Sequence, residues 1–347
     1  MLASPTLSSL RITAQSLAIG AVGAGLAEWL SLPIAVLTGP AILVSLAALL
    51  GVRTGLDTAV RDILFLVIGV SIGSGVDTNA TGAMLRWPLA FAALAVMLVL
   101  TLWLCGRLLE QLFQMDRRSA FLAAAPGHLS FVVGLSSELG LDTTRVVVVQ
   151  SVRVLALTLS VPALAWTFGV DLDGAVLRDG ARLSWSHFAR LLVVGGLIGW
   201  VLMKLRLPAP LLIGGMIASS AGHGSGLTPG LPPPWLAYAA LLAVGTLIGS
   251  RFDGMTRAAL LHSLLAGLMV TFVCVAMALA AAAAVAAALG FDTVHVLVAF
   301  SPGGLETMIA MGVILGANPG FVAASHVARL LFLTVLLPAF VGRLKQD

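Results

Sequence analysis

Apolar stretches of roughly 15 to 25 residues follow one another along the whole chain and leave no polar remainder large enough for a soluble domain. A helix needs about 20 such residues to cross a hydrocarbon core of about 30 Å, and a bilayer admits only helices or closed barrels. An all-α, polytopic membrane protein is therefore expected. Charged residues make up 10% of the chain, against about 25% in soluble domains. The opening MLASPTLSSLR lacks a basic start and a small-residue cleavage site, so the first apolar run is expected to stay as a membrane anchor.

The formal net charge is +4. Lysines and arginines are scattered singly at helix ends rather than gathered on one face, which suits orientation in a bilayer and gives no footprint for nucleic acid. Cys105 and Cys274 lie inside apolar runs without C-x-x-C spacing, as buried small hydrophobes do.

The second half of the chain copies the first at an offset near 176. APGHLSFVVGLSSELGLD from Ala125 lies over SPGGLETMIAMGVILGAN from Ser301, placing Pro126 over Pro302 and Gly140 over Gly316. QSVRVL from Gln150 lies over HVARLL from His326, so Arg153 matches Arg329. Upstream, IGVSIGSGVD ending at Asp77 lies over VGTLIGSRFD ending at Asp253, and LSLPIAVLTGP around Pro33 resembles LRLPAPLLIGG around Pro208. The expected organisation is a first membrane repeat over 1–168, a polar linker over 169–187 and a second repeat over 188–347.

Each repeat holds five to six segments, giving 10–12 transmembrane helices: roughly 12–30, 33–51, 60–75, 87–109, 119–139 and 143–168, then 188–203, 208–222, 235–250, 257–289, 293–316 and 321–341. Six crossings per copy make the repeats parallel and five make them inverted. The 208–222 segment is short enough to be re-entrant. A positive-inside count over seventeen arginines and lysines gives eleven to six for twelve crossings with cytoplasmic termini, and seven to ten for ten crossings, mildly favouring the former. Gly69-x-x-x-Gly73 and Gly245-x-x-x-Gly249 suit close helix packing.

Pro126-Gly127 and Pro302-Gly303-Gly304 open their helices at matched places. Freed backbone groups in lipid cost several kcal/mol each unless protein or a water-lined cavity satisfies them, so the two breaks imply a protected site. Opened helix ends offer N–H groups to an anion and carbonyls to a cation. Arg153 and Arg329 lie about ten residues into their helices, about 12–15 Å from the nearer end, too deep to snorkel easily. Substrate contact and structural bracing of helix breaks both fit them. Gln150 and His326 share a helix face with these arginines at i, i+3 spacing.

The copies differ where Glu306 lies over Ser130, His326 over Gln150 and Gly304 over His128. Glu306 and His326 are proton-carrier candidates, and an arginine partner is the alternative role for Glu306. The remaining histidines show no metal-ligand spacing, and no catalytic triad, P-loop or dinucleotide fingerprint is present. No cofactor and no enzymatic activity are expected.

In PGGLETM and HVARLL, echoed by PGHLSFV and QSVRVL, the chain resembles the AbrB-type duplicated membrane protein family over nearly its whole length. Labels attached to that family include transcriptional regulator and ammonia monooxygenase. This chain lacks the His/carboxylate set of an oxygenase and the basic soluble module of a DNA-binding regulator. More loosely it resembles cation/proton antiporters and anion symporters of the elevator kind. That resemblance implies a scaffold, a mobile core with broken helices crossing near the membrane midplane, inverted repeats and a homodimer. At His128 the family pattern usually carries a second glycine.

The expected function is secondary active transport of a small organic anion, possible proton coupling included, across the cell inner (plasma) membrane. The site lies between the breaks and comprises Pro126, Gly127, His128, Ser130, Gln150, Arg153, Pro302, Gly303, Gly304, Glu306, His326 and Arg329. Alternatives are a cation/proton antiporter, in which the arginines only brace, and a membrane sensor acting indirectly on gene expression.

Overall fold

The computed structural model describes residues 6–74, 87–127, 129–167, 182–205, 207 and 209–343. Among them the chain is helical throughout, apart from short connections. In the first half lie α1 (Leu7–Trp29), α2 (Ala35–Leu49), α3 (Thr58–Gly73), α4 (Trp87–Phe113), α5 (Arg117–Ala124), α6 (Leu129–Glu138) and α7 (Thr143–Thr167). The second half has α8 (Trp185–Lys204), α9 (Pro210–Gly224), α10 (Pro234–Gly249), α11 (Arg257–Leu289), α12 (Thr293–Phe300), α13 (Leu305–Ile314) and α14 (Pro319–Arg343). The helices starting at 58, 117, 129 and 143 have counterparts starting at 234, 293, 305 and 319, each 176 residues on. The polar stretch 169–187 falls largely outside the described residues, and its last three residues already belong to α8.

Seven helices are long and apolar enough to cross a membrane by length and composition, as a multi-pass membrane protein requires. Six helix starts are set by ordinary capping. Thr6, Asp57, Asp116, Ser184, Thr256 and Asp292 each accept a first-turn backbone N–H of the helix that follows.

Glycines decide which helices lie side by side and in which direction. A Cβ on Gly69 would strike the Leu212 carbonyl, and one on Gly73 would meet the Met216 carbonyl at 2.5 Å, so α3 and α9 run parallel in close contact. Likewise Gly245 sits against the Leu37 carbonyl and Gly249 against Val44, making α10 and α2 parallel. Gly23 faces Gly39 and Leu43 while Gly39 faces Ala27, so α1 and α2 are antiparallel. The pair α8 and α9 is antiparallel by the same logic, with Gly195 on Gly215 and Gly199 on Leu211.

One hydrogen bond links these pairs. The Thr54 N–H, just before α3, donates to Asp253 Oδ1, just after α10, at 2.9 Å. The C-terminal end of α10 therefore stands beside the N-terminal end of α3. It follows that α2 and α3 are antiparallel and that α1, α2 and α3 each run opposite to α8, α9 and α10.

An inverted second half requires an odd number of crossings in the first. The odd number arises because α5 and α6 form a hairpin that enters and returns. Gln150 Nε2 donates to the Leu122 carbonyl and Arg153 Nη1 to that of Ala125, so α5 runs parallel to α7. The segment 139–142 joins α6 to the start of α7, and Met115, Asp116 and Ser119 line one cavity with Gly140, Leu141 and Asp142. The C-terminal end of α6 has thus come back to the level where α5 began.

In the second half, the bond from Arg329 to the Ser301 carbonyl sets α12 parallel to α14, and Gly316 returns to His295 at the start of α12. At 1.5 Å per residue the hairpin arms are about 12–15 Å long, half a bilayer. With the hairpins set apart, five helices remain in each half, seven of the ten long and apolar enough to cross a membrane. The twelve-crossing, parallel arrangement that the charge count mildly favoured is not found, because 119–139 and 293–316 are hairpins, whereas α9, the expected re-entrant candidate, is one continuous helix of 15 residues. The two breaks meet as hairpin tips rather than as helices that continue through the bilayer.

Candidate functional site between the hairpin tips

The proline and glycine of each break end one arm and let the chain reverse. Gly127 adopts φ +91°, a conformation that side-chain-bearing residues rarely take. The reversal leaves carbonyls without helical partners in the middle of the membrane, and the arginines supply them. Arg153 Nη1 donates to Ala125 at 3.0 Å, while Arg329 Nη1 donates to Ser301 at 3.0 Å and its Nη2 to Gly303 at 3.3 Å. Both side chains are fully buried.

Arg329 touches both hairpins. Besides bonding the second tip, its Nε lies 3.7 Å from where a Gly127 Cβ would stand in the first. Gly127, Leu129, Gln150, Arg153, Gly303, Gly304, Leu305 and Arg329 line one cavity of about 160 Å³, together with Val154, Leu330, Ala209 and Arg251. The apolar members come from both halves.

Arg153 Nε and Nη2 and Arg329 Nε are buried without a hydrogen-bond partner among the described residues. A buried donor left unpaired costs about 1–3 kcal/mol, more when charged. Such a set is suited to accept carboxylate or phosphate oxygens, which guanidinium nitrogens bind in bidentate fashion. Ser301 Oγ, Thr307 Oγ1, Ser325 Oγ and His326 Nε2, all in the second half, are likewise buried and unpartnered.

Most expected site residues converge. Gly127, Gln150, Arg153, Gly303, Gly304 and Arg329 line the cavity, and Pro126 and Pro302 are buried beside the tips. His326 is fully buried but does not line it: its Nδ1 lies 2.9 Å from the Val322 carbonyl of its own helix, where Gln150 instead reaches across to α5. His128 and the side chains of Ser130 and Glu306 lie outside the described residues; in the backbone, Ser130 and Glu306 occupy the first turns of α6 and α13. Cys105 and Cys274 are free and buried in one core cluster, as small hydrophobes.

Of the six lining residues not anticipated, Ala209 and Arg251 come from outside the hairpins and the arginine-bearing helices. Ala209 precedes α9 with a left-handed φ of 43°, as Ile34 precedes α2 with φ 50°. Strained positions of this kind gather at functional sites. Arg251 follows α10 in a short 3₁₀ turn. Its signal was in the repeat comparison itself, where IGSR stands over IGSG and Arg251 falls on Gly75.

Comparison with known proteins adds a family. The chain is 26% identical over 326 residues to "Putative regulator AbrB" of Escherichia coli (strain K12), covering 89% of each chain. It is 25% identical over 291 residues to "Uncharacterized protein YhjN" of Bacillus subtilis (strain 168), covering 79% of this chain and 76% of the relative. The family model described as "Transition state regulatory protein AbrB" matches residues 36–345, and with nearly the whole membrane domain covered, the chain belongs to the AbrB family.

Proposed function

We propose that the protein is a secondary active transporter of a small organic anion, bound between the two hairpin tips in a cell's inner membrane. The observation that carries this reading is the pair of buried arginines with three unpartnered nitrogens on the cavity between the hairpin tips. A merely structural arginine at that depth would be expected to spend all its donors on protein carbonyls, since unpaired charge in lipid costs several kcal/mol. Arg329 nearly does so; Arg153 leaves two nitrogens for something else.

The two halves supply a way to move such a ligand. Inverted halves that meet at one site can exchange conformations, opening the site to one side and then the other, as in elevator and rocking carriers. A scaffold fits the close glycine-lined packing of α1–α3 with α8–α10, and a mobile core fits the hairpins with α4, α7, α11 and α14. Proton coupling through His326 or Glu306 belongs to the same reading, supported by the unpartnered Nε2 of His326.

The test is current from proteoliposomes on a solid-supported membrane, screening organic acids and monovalent cations with and without a pH gradient. An acid-evoked current that is lost in Arg153→Ala is the expected result. Cation-evoked current indifferent to that change would favour a cation/proton antiporter. A second reading, a membrane sensor, is favoured by the regulatory descriptions of the family and of its Escherichia coli relative. Thermal stabilisation by an acid without flux in sealed vesicles would establish the sensor instead.

A further inference from the structure

The inverted topology assigns every described arginine and lysine outside the core to one of two membrane faces. On the face where α1 begins lie Arg11, Arg53, Arg61, the α4 end with Arg107, the base of the first hairpin with Arg117, Arg118 and Arg145, and then Lys204, Arg251, Arg257 and Arg343. The opposite face has Arg182 and Arg190. Eleven against two among the described residues is a far stronger asymmetry than any sequence count gave. By the positive-inside rule the α1 face is cytoplasmic, and both ends of the described chain lie there.

The cavity is not equidistant from the two faces in its composition. Besides the hairpins and the two arginine-bearing helices, its lining comes from Ala209 and Arg251, and both belong to the cytoplasmic ends of their helices. The symmetry-matched residue Ile34, at the opposite ends of the bundle, does not line it. In the sequence the place matching Arg251 is a glycine, so only one side can carry this cation.

We propose that Arg251 forms the cytoplasmic entrance of the site: the cavity is reached from the cytoplasm, and Arg251 draws anions from there toward Arg153 and Arg329. Three guanidinium groups around one small cavity create a positive potential that concentrates anions and repels cations, an effect that low-dielectric walls strengthen. Arg251 is half-buried, between water and the fully buried pair. It acts as a recruiting residue for the anion-transport reading, on which its role rests; the sidedness of the cavity does not depend on that reading.

The experiment uses cysteine accessibility in the full chain. Cys105 and Cys274 are replaced by Ala, then Arg251→Cys is introduced, with Ala209→Cys as a second reporter of the same entrance should the first fail to fold. Arg53→Cys and Arg182→Cys mark the two faces. Inside-out vesicles and intact spheroplasts are treated with membrane-impermeant thiosulfonates, one bearing a sulfonate and one a trimethylammonium group. Arg251→Cys is expected to react in inside-out vesicles together with Arg53→Cys, and Arg182→Cys in spheroplasts. At Ala209→Cys, with Arg251 in place, the sulfonate reagent should be favoured about tenfold over its preference at Arg53→Cys, within the range that focused fields produce, and adding Arg251→Gln should shrink that preference. Reaction of the entrance reporters from the spheroplast side, or no gain for the anionic reagent, overturns the proposal. Because labelling needs no flux, its outcome is separate from that of the transport assay.

Discussion

Arg153 and Arg329 stand 176 residues apart, and each donates Nη1 at 3.0 Å to the carbonyl 28 residues before it, that of Ala125 and that of Ser301. The bracing role and the proposed binding role therefore fall on different nitrogens of the same side chains. Arg153→Ala strands the Ala125 carbonyl and Arg329→Ala that of Gly303, while the Ser301 carbonyl keeps the Gly303 N–H at 2.9 Å. At about 1–3 kcal/mol per stranded buried group, both variants should melt earlier in detergent. Equal melting of both variants and the parent would remove the bracing role.

Close packing at Gly69 and Gly245 leaves no room for a side chain, since a Cβ would meet the Leu212 and Leu37 carbonyls of the neighbouring helix. Gly69→Val or Gly245→Val should force the helices apart and destabilise the protein by about 1–3 kcal/mol. Gly25, with open space around it on α1, is the control: Gly25→Ala should be neutral or gain up to about 1 kcal/mol from helix propensity. Thermal melts in one detergent decide the matter.

His326 occupies the place of Gln150, whose amide bonds the Leu122 carbonyl. His326→Gln should therefore keep the fold, offering the same bond to the second hairpin while removing a titratable group. If His326 carries the coupled proton, uptake in this variant persists but loses its dependence on pH. An unchanged pH profile would take His326 out of the transport cycle.

Asp57 caps α3 and accepts the Ser9 hydroxyl at 2.6 Å, which holds its carboxyl below the usual carboxylate range. A depressed folded-state pKa contributes stability that is present above the unfolded value of about 3.9 and is lost as pH falls through the folded one. Acid melts between about pH 5 and 2 should show this loss, and Asp57→Asn should flatten part of it. An identical acid dependence in the variant would show that the cap is energetically silent.

The helical, membrane-spanning character and the place of both breaks were legible because lipid enforces long apolar runs and because proline followed by glycine interrupts a helix wherever it falls. What Pro126-Gly127 could not reveal is whether the chain continues across or turns back. That depends on Gln150 and Arg153 bonding α5 along its length, a tertiary relation 28 residues away. The same ambiguity misdirected the charge count: with the hairpins taken as crossings, the cations between them, among them Arg145, Arg190, Arg251 and Arg257, were assigned by the wrong parity. Gly69 and Gly245 were readable as packing positions, but their partners, on the opposite half, were not. Arg251 lay in plain view as the one cation breaking the IGSG echo, yet repeats draw attention to what they share.

The 28-residue reach from each arginine to its hairpin also bears on how the chain is made. Synthesis proceeds from the N-terminus at about 5–20 residues per second, so Arg153 leaves the ribosome about one to six seconds after Ala125. During that interval the first hairpin has no guanidinium to satisfy its tip, and two arms of half a bilayer's length cannot lie in lipid alone. The insertion machinery must therefore shelter α5 and α6 until α7 arrives, and again α12 and α13 until α14 does, so that the hairpin tip is the last part of each half to be completed.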